Sequence, residues 1–509
     1  MSGEIVSGNR RVKLEDIMAR GARAASGFAA TGIGAGDTIA IMMRNDPVFF
    51  EASVAAGLLG AYPVPINWHY TAEEAEHVLT DSGAKALVVH ADLYPRIRDV
   101  VPKDLPVLVV ETGPEIAAAF SVDPQACAVP KGARDWHRWT DALPPWDRPL
   151  TELPSTMIYT SGTTGKPKGV RRAPATQPVQ EYNVALMTKL FGITPGMRTV
   201  LSGPLYHSAP NAYGLTAMRA GGTVILQPRF DPEEMLRLIE AEKITHLYMV
   251  PTMFVRMLKL PDEVKRKYDL SSLVDVIHAA APCPPEVKKR MIEWWGPVIN
   301  EFYGSTETSG VTYCSATEWV ANPGTVGRPV LEATVRIIGE DGSVLGPNEI
   351  GEVYARHWKL SDFTYHGDQA KRAGVEHDGL ITSGDVGYFN DAGFLFLCDR
   401  KKDMVISGGV NIYPAEIEAC LHTMPGVHDC AVFGIPDDEY GESLAAFVQP
   451  MAGADIDAAA VKAYVRQHLA GYKVPKVVEF RPDLPREDSG KIFKRKLREP
   501  FWEKAGRAI

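Results

Sequence analysis

Residues 159–170 read Tyr159-Thr160-Ser161-Gly162-Thr163-Thr164-Gly165-Lys166-Pro167-Lys168-Gly169-Val170. Four aliphatic hydroxyls and three glycines are packed together, with two lysines at the far end. Such a stretch has almost nothing apolar to bury, and glycine inside a helix or strand costs stability. It suits wrapping a polyanion: glycines let backbone N–H groups approach, hydroxyls donate to phosphate oxygens, and lysines add point charges. A Gly/Ser/Thr-rich surface turn is the ordinary alternative. The apolar lead-in Met157-Ile158-Tyr159 and the basic stretch that follows favour a phosphate loop. It is not the nucleotide loop G-x-x-x-x-G-K-[ST], because only two residues separate Gly162 from Gly165 and Pro167 follows Lys166. A Walker-type ATPase or kinase is therefore disfavoured.

Four further clusters can do chemistry. Tyr303-Gly304-Ser305-Thr306-Glu307-Thr308 follows a strand-like run over 298–302. A strand end followed by glycine, hydroxyls and a carboxylate is where an α/β sheet places ligands. Glu307 suits Mg²⁺ beside phosphates, because that ion favours one or two carboxylates plus substrate oxygens. Ser383-Gly384-Asp385 offers an acid that accepts from ribose hydroxyls. Arg400-Lys401-Lys402-Asp403 and Ser489-Gly490-Lys491 complete the set. Singly, each reads as an ordinary turn.

The elements that position these clusters follow from hydrophobic patterning. Short apolar runs at 38–42, 86–89, 106–110, 223–226, 246–250 and 274–278 read as buried strands, most followed by helix-like spacing. Asp231-Pro232-Glu233-Glu234 is a capped helix start. This is an α/β chain with mainly parallel sheets covered by helices. Residues 111–150 are proline-rich without sustained periodicity and read as a surface excursion. After about 330 the pattern becomes β-rich, with hairpin signals at Gly339-Glu340-Asp341-Gly342 and Asp391-Ala392-Gly393. A small α+β segment follows Asp399, with strands near 427–435 and 444–450 and a helix near 458–469. The division expected is a large N-terminal domain over 1–399 and a small mobile C-terminal domain over 400–509.

Composition excludes several classes. The chain has 509 residues, 45% hydrophobic and 23% charged, as in ordinary soluble proteins. A net charge of −9 argues against nucleic acid as a partner. The basic cluster Lys491, Lys494, Arg495, Lys496 and Arg498 reads as a solvated face beside a site. Six scattered cysteines lack any C-x-x-C pair, which suits reduced thiols in the cytoplasm and gives no zinc signature. Residues 1–5 carry no leader pattern. The most apolar stretch, 48–66, is broken by Glu51 and Pro63 and is no membrane span, though peripheral contact is compatible with it.

Together and in this order, the clusters resemble the adenylate-forming superfamily: acyl-CoA synthetases, adenylation domains of peptide synthetases, and firefly luciferase. The resemblance runs through residues 160–169, 303–307, 383–385, 400–418 and 485–491. It implies that Thr160, Ser161, Gly162, Thr163, Thr164, Gly165 and Lys168 clasp the ATP β- and γ-phosphates. Thr306 and Glu307 would then lie at the α-phosphate and Mg²⁺. Tyr303 and Gly304 would face adenine opposite Ala280, Ala281 and Pro282, and Asp385 would hold the ribose with help from Arg400. Lys491 matches the mobile lysine that bridges the α-phosphate and the substrate carboxylate. Lys402 stands at the hinge position, and Gly408 and Gly409 match the turn lining the pantetheine tunnel of CoA.

Three departures from the family pattern stand out: Asp399 in place of a glycine, Ala279 and Ala280 in place of glycines, and Leu380 to Thr382 in place of Trp-Phe-His. His207, in Pro204-Leu205-Tyr206-His207-Ser208, occupies the segment where synthetases for fatty and aryl acids carry a histidine. Amino-acid-activating domains carry an aspartate there, so α-amino acids are disfavoured. Pocket walls are expected from 211–214, 250–252 and 279–281. The activity implied is an AMP-forming acyl-CoA ligase using ATP, Mg²⁺ and CoA on a fatty or other hydrophobic carboxylic acid. The alternatives are an aryl-acid CoA ligase, a stand-alone enzyme loading a carrier-protein thiol, luciferase-like oxygenation, or a nucleotide sensor that has lost catalysis. Intact Glu307, Asp385, Arg400 and Lys491 argue against the last.

Overall fold

A computed structural model describes residues 3–148, 153–160, 167–486 and 492–504. Ser161, Gly162, Thr163, Thr164, Gly165 and Lys491 lie outside the described residues.

The largest sheet has 14 strands and two characters. On one side of strand Ile299–Ser305 its neighbours run parallel: Asp275–His278, His246–Met249, Arg198–Leu201, Thr223–Leu226 and Glu4–Ser7. On the other side the pairing is antiparallel, through Ser309–Cys314 and Thr325–Pro329 to Leu395–Arg400, Leu380–Phe389, Gly351–His357 and Ala333–Ile338. The residues of His246–Met249 are all buried, as expected of a strand covered on both faces. Ile299–Ser305 is thus where the sheet changes connection rule, the kind of place where open α/β sheets bind ligands.

A second, parallel sheet is ordered Tyr62–Pro65, Thr38–Met42, Ala86–His90, Val107–Val110, Arg134–Asp135. A three-stranded sheet joins Ile158–Thr160 to Lys168–Arg172 and then to Phe363–Tyr365. The fourth, five-stranded sheet holds Val405–Ser407, Val410–Ile412, Val427–Asp437, Gly441–Pro450 and Val477–Phe480. It has its own apolar core around Ile417, Leu421, Val432, Ala446 and Val461. Among the described residues, no helix is long and apolar enough to cross a membrane.

Residues 111–150 are more ordered than their composition predicts. They carry helices Pro114–Phe120, Pro124–Cys127 and Trp136–Asp141, and the strand Arg134–Asp135. These pieces are too short to show a period, and aspartate side chains start two of them by capping Gln125 and Arg138. Trp136 is fully buried and donates from Nε1 to Glu51 at 2.7 Å, so the segment is anchored in the core.

Candidate functional site

Tyr303 and Asp385 come from strands that are not neighbours in the antiparallel half-sheet, and they meet. Tyr303 sits near the end of Ile299–Ser305, while Asp385 lies mid-strand in Leu380–Phe389, directly opposite Arg400 in register. Tyr303 Oη donates to Asp385 Oδ2 at 2.8 Å, and Ser383 Oγ donates to the same oxygen at 2.6 Å. Arg400 Nε lies 3.4 Å from Asp385 Oδ1. Burial, and then the Asp385 charge, push the Tyr303 phenol well up, so it remains a donor at neutral pH. Gly304 is required by packing: a Cβ there would run into the Ser309 carbonyl and Gly310.

The turn after Tyr303 is knitted internally. Ser305 N donates to Thr308 Oγ1 and Thr308 N to Ser305 Oγ, both at 3.1 Å. Thr306 and Glu307 occupy its tip. Glu307 Oε1 accepts from Tyr365 Oη at 2.9 Å, and among the described residues no cation pairs with this carboxylate. A lone hard carboxylate with one oxygen uncommitted fits Mg²⁺, which takes few protein ligands and completes its shell from water and phosphate. Arg172 donates to the carbonyls of Thr306 and Glu307 from the neighbouring small sheet. That sheet frames the expected phosphate loop: Thr160 and Lys168 are register partners at the strand ends on either side of residues 161–166. Lys168 Nζ is ion-paired with Asp368.

Ala280, Ala281 and Pro282 follow strand Asp275–His278, the parallel neighbour of Ile299–Ser305, so they reach the same sheet edge as Tyr303. Ala280 has φ +76°, a left-handed backbone that glycine adopts more readily than alanine. Beneath them, Lys288 Nζ donates to Glu301 Oε2 at 2.6 Å, with His278 Nε2 3.4 Å from the same oxygen. Nothing in the sequence pattern announced this buried ionic floor.

His207 stands at the N-cap position of helix Ser208–Arg219 without a side-chain cap hydrogen bond, its ring 4.4 Å from that of Tyr206. Its loop is held by two asparagines: Asn45 donates from Nδ2 to Gly203 O and accepts from Leu205 N, both at 2.9 Å, and Asn211 Nδ2 donates to Leu205 O at 2.8 Å. Two expected pocket residues are core instead. Tyr213 is fully buried and shares a 2.8 Å hydrogen bond with Thr199, and Gly214 faces Leu201 and Leu205. Helical spacing turns these positions inward.

Gly408 and Gly409, at φ +57° and +82°, form the two-residue turn between register partners Ser407 and Val410, a hairpin geometry that needs positive φ at both positions. Lys402 is exposed, two residues beyond the end of strand Leu395–Arg400. Asp399 has a clear structural use: its Oδ2 accepts from Ala415 N, in the first turn of helix Pro414–Leu421, at 2.9 Å. The basic cluster near the C-terminus is not simply a solvated face. Lys494 pairs with Glu418 at 2.8 Å and Arg498 lies 3.4 Å from Asp403, because these side chains pack against helix Pro414–Leu421 and the segment after Arg400.

Comparison with known proteins gives the family and the fold. The profile of the AMP-binding enzyme family matches residues 4–360, and that of the AMP-binding enzyme C-terminal domain matches 416–491. The chain is 35% identical to feruloyl-CoA synthase from Amycolatopsis sp., covering 97% of this chain and 95% of that one. It is 29% identical to a long-chain-fatty-acid–CoA ligase of Bacillus subtilis, covering 96% and 90%. The crystal structure of ATP-bound MatB from Rhodopseudomonas palustris superposes with a TM-score of 0.83 at 27% identity, covering 98% and 96%. The chain belongs to the AMP-binding enzyme family, the adenylate-forming superfamily, and is an acid–thiol ligase of the AMP-forming kind.

Proposed function

We propose that this protein activates a hydrophobic carboxylic acid with ATP and transfers the acyl group to CoA. The observation that carries the reading is the Tyr303–Asp385–Arg400 contact beside the Glu307 turn, which gathers an aromatic ring, a ribose acceptor and a metal carboxylate at one sheet edge. In this reading Tyr303, Gly304, Ala280, Ala281 and Pro282 take the adenine, and Asp385 with Arg400 takes the ribose. Thr160 and Lys168, with the loop between them, receive the β- and γ-phosphates. That role requires Lys168 to exchange Asp368 for phosphate.

A carboxylate is a poor electrophile. Its oxygen attacks the α-phosphorus, an O–P bond forms, and the bond to pyrophosphate breaks. Negative charge accumulates on the phosphoryl oxygens, so donors fixed there lower the barrier. In this reading Thr306 would donate to those oxygens, and Lys491 would bridge them to the attacking carboxylate. Glu307 would hold the Mg²⁺ that accompanies ATP, which when bound would neutralise part of that charge. The CoA thiolate then attacks the acyl carbon and AMP leaves with the bonding pair. Gly408 and Gly409 supply a hairpin tip without side chains, suited to a thin pantetheine arm. Residues 1–399 form the nucleotide and acyl domain and 400–509 the mobile domain, with Lys402 as the hinge.

Fatty and other aliphatic acids are the first reading for the substrate. Aryl acids are the second, favoured by the 35% identity to feruloyl-CoA synthase. Incubation with ATP, CoA and a panel of aliphatic, aryl and amino acids, scoring AMP and acyl-CoA, tests both. Acyl-CoA from aliphatic acids supports the first reading, from aryl acids alone the second, and ADP in place of AMP overturns the proposal.

A further inference from the structure

Arg172 ends strand Lys168–Arg172, just past the phosphate loop; among the described residues its guanidinium donates to main-chain carbonyls and lies 5.9 Å from the Phe363 ring centroid. Nη2 donates to Thr306 O at 3.3 Å and to Glu307 O at 2.5 Å, and Nη1 donates to Ser361 O at 2.7 Å. Among the described residues it forms no ion pair. Burial pulls this arginine down to about 10, with Asp362 and Glu307 pulling it back up. Lysine cannot replace such a fork, because its single ammonium cannot reach carbonyls on both sides.

Tyr365 lies on the same small sheet, in register with Val170, and is buried. Its hydroxyl donates to Glu307 Oε1 at 2.9 Å. His366 N adds a 2.8 Å hydrogen bond to Gly169 O, tying the two strands beside this point. One three-stranded sheet therefore carries the strands flanking the phosphate loop and both contacts that fix the Glu307 turn.

We infer that Arg172 and Tyr365 are positioning residues for acid activation, locking the main chain of Thr306 and Glu307 and the Glu307 carboxylate in register with the phosphate loop. Tyr365 occupies Oε1 and leaves Oε2 to the metal that accompanies ATP, while Arg172 stops the turn from sliding relative to its strand. The inference rests on the reading of Glu307 as the metal carboxylate.

The test is calorimetric binding of ATP with Mg²⁺ and, separately, of ATP with EDTA, on the full chain. Tyr365→Phe deletes one hydrogen bond to a charged group without changing shape, and should weaken MgATP about tenfold while leaving metal-free ATP within about twofold. Arg172→Lys should slow acid-dependent ATP–pyrophosphate exchange by about tenfold or more while retaining thioester formation from supplied acyl-adenylate. Equal loss of MgATP and metal-free ATP affinity, or no change in either, overturns the inference, as does equal loss of both half-reactions in Arg172→Lys. Failure of the wild-type protein to form AMP with any acid overturns the functional reading instead, and leaves the MgATP comparison to stand on its own.

Discussion

Tyr303 Oη donates a 2.8 Å hydrogen bond to Asp385 Oδ2, joining residues 82 positions apart across the antiparallel half of the main sheet. The ring expected to stack on adenine therefore holds the carboxylate expected to hold ribose. Asp385→Asn keeps the shape but replaces the charged acceptor, and should raise the KM for ATP by about 10- to 100-fold. Tyr303→Phe keeps the ring and should cost about 3- to 10-fold. Initial-rate kinetics with ATP varied at saturating acid and CoA checks both values.

Ala280 holds a left-handed backbone just past strand Asp275–His278, where the acid pocket is proposed. A residue with a Cβ pays roughly 1–2 kcal/mol for that conformation, and glycine gives back part of the gain as unfolded-state entropy. Ala280→Gly should raise stability by about 0.5–1 kcal/mol in urea unfolding. It should also move acid preference toward bulkier members of the panel, since one methyl leaves the edge of the pocket.

Glu51, buried in helix Pro47–Leu58, is pushed up to about 7, chiefly by burial and with Asp46 adding repulsion, against relief from Arg20 and Trp136. Between the unfolded value of 4.5 and 7, the folded state keeps a proton that the unfolded state has lost. Stability from this group is therefore present at low pH and falls as pH rises through that window, by on the order of 3 kcal/mol. Urea unfolding at pH 5 and pH 8 should show that fall against the rest of the chain, and Glu51→Gln should flatten it.

Lys491→Ala should cut acid-dependent ATP–pyrophosphate exchange by roughly 10²–10³-fold, like loss of one strong transition-state donor. Thioester formation from supplied acyl-adenylate should survive. Equal loss of both half-reactions would remove Lys491 from the first step.

The parallel strands were legible because burial on both faces leaves continuous apolar runs, as at Thr38–Met42 and His246–Met249. The turn after Tyr303 was legible because glycine, hydroxyls and a carboxylate following a strand end mark a loop at a sheet edge. What stayed hidden depends on partners distant in sequence. Trp136 sits in an unpatterned stretch, yet it is fixed by Glu51, 85 residues away. Arg172 looked like one more residue of a basic stretch, and only the pairing of its strand with Phe363–Tyr365 shows that it serves the Glu307 turn. Lys494 read as solvated until helix Lys494–Lys504 placed it on Glu418. The pairing of Tyr303 with Asp385 required the long sheet to bring its two strands together, which no local signal states.

The most direct test of acid activation is the fate of the carboxylate oxygen. With an acid substrate labelled with ¹⁸O in its carboxyl group, the AMP released during CoA thioester formation should carry one labelled oxygen on its phosphate, read by mass spectrometry. Unlabelled AMP, or label in inorganic phosphate released together with ADP, would contradict the account.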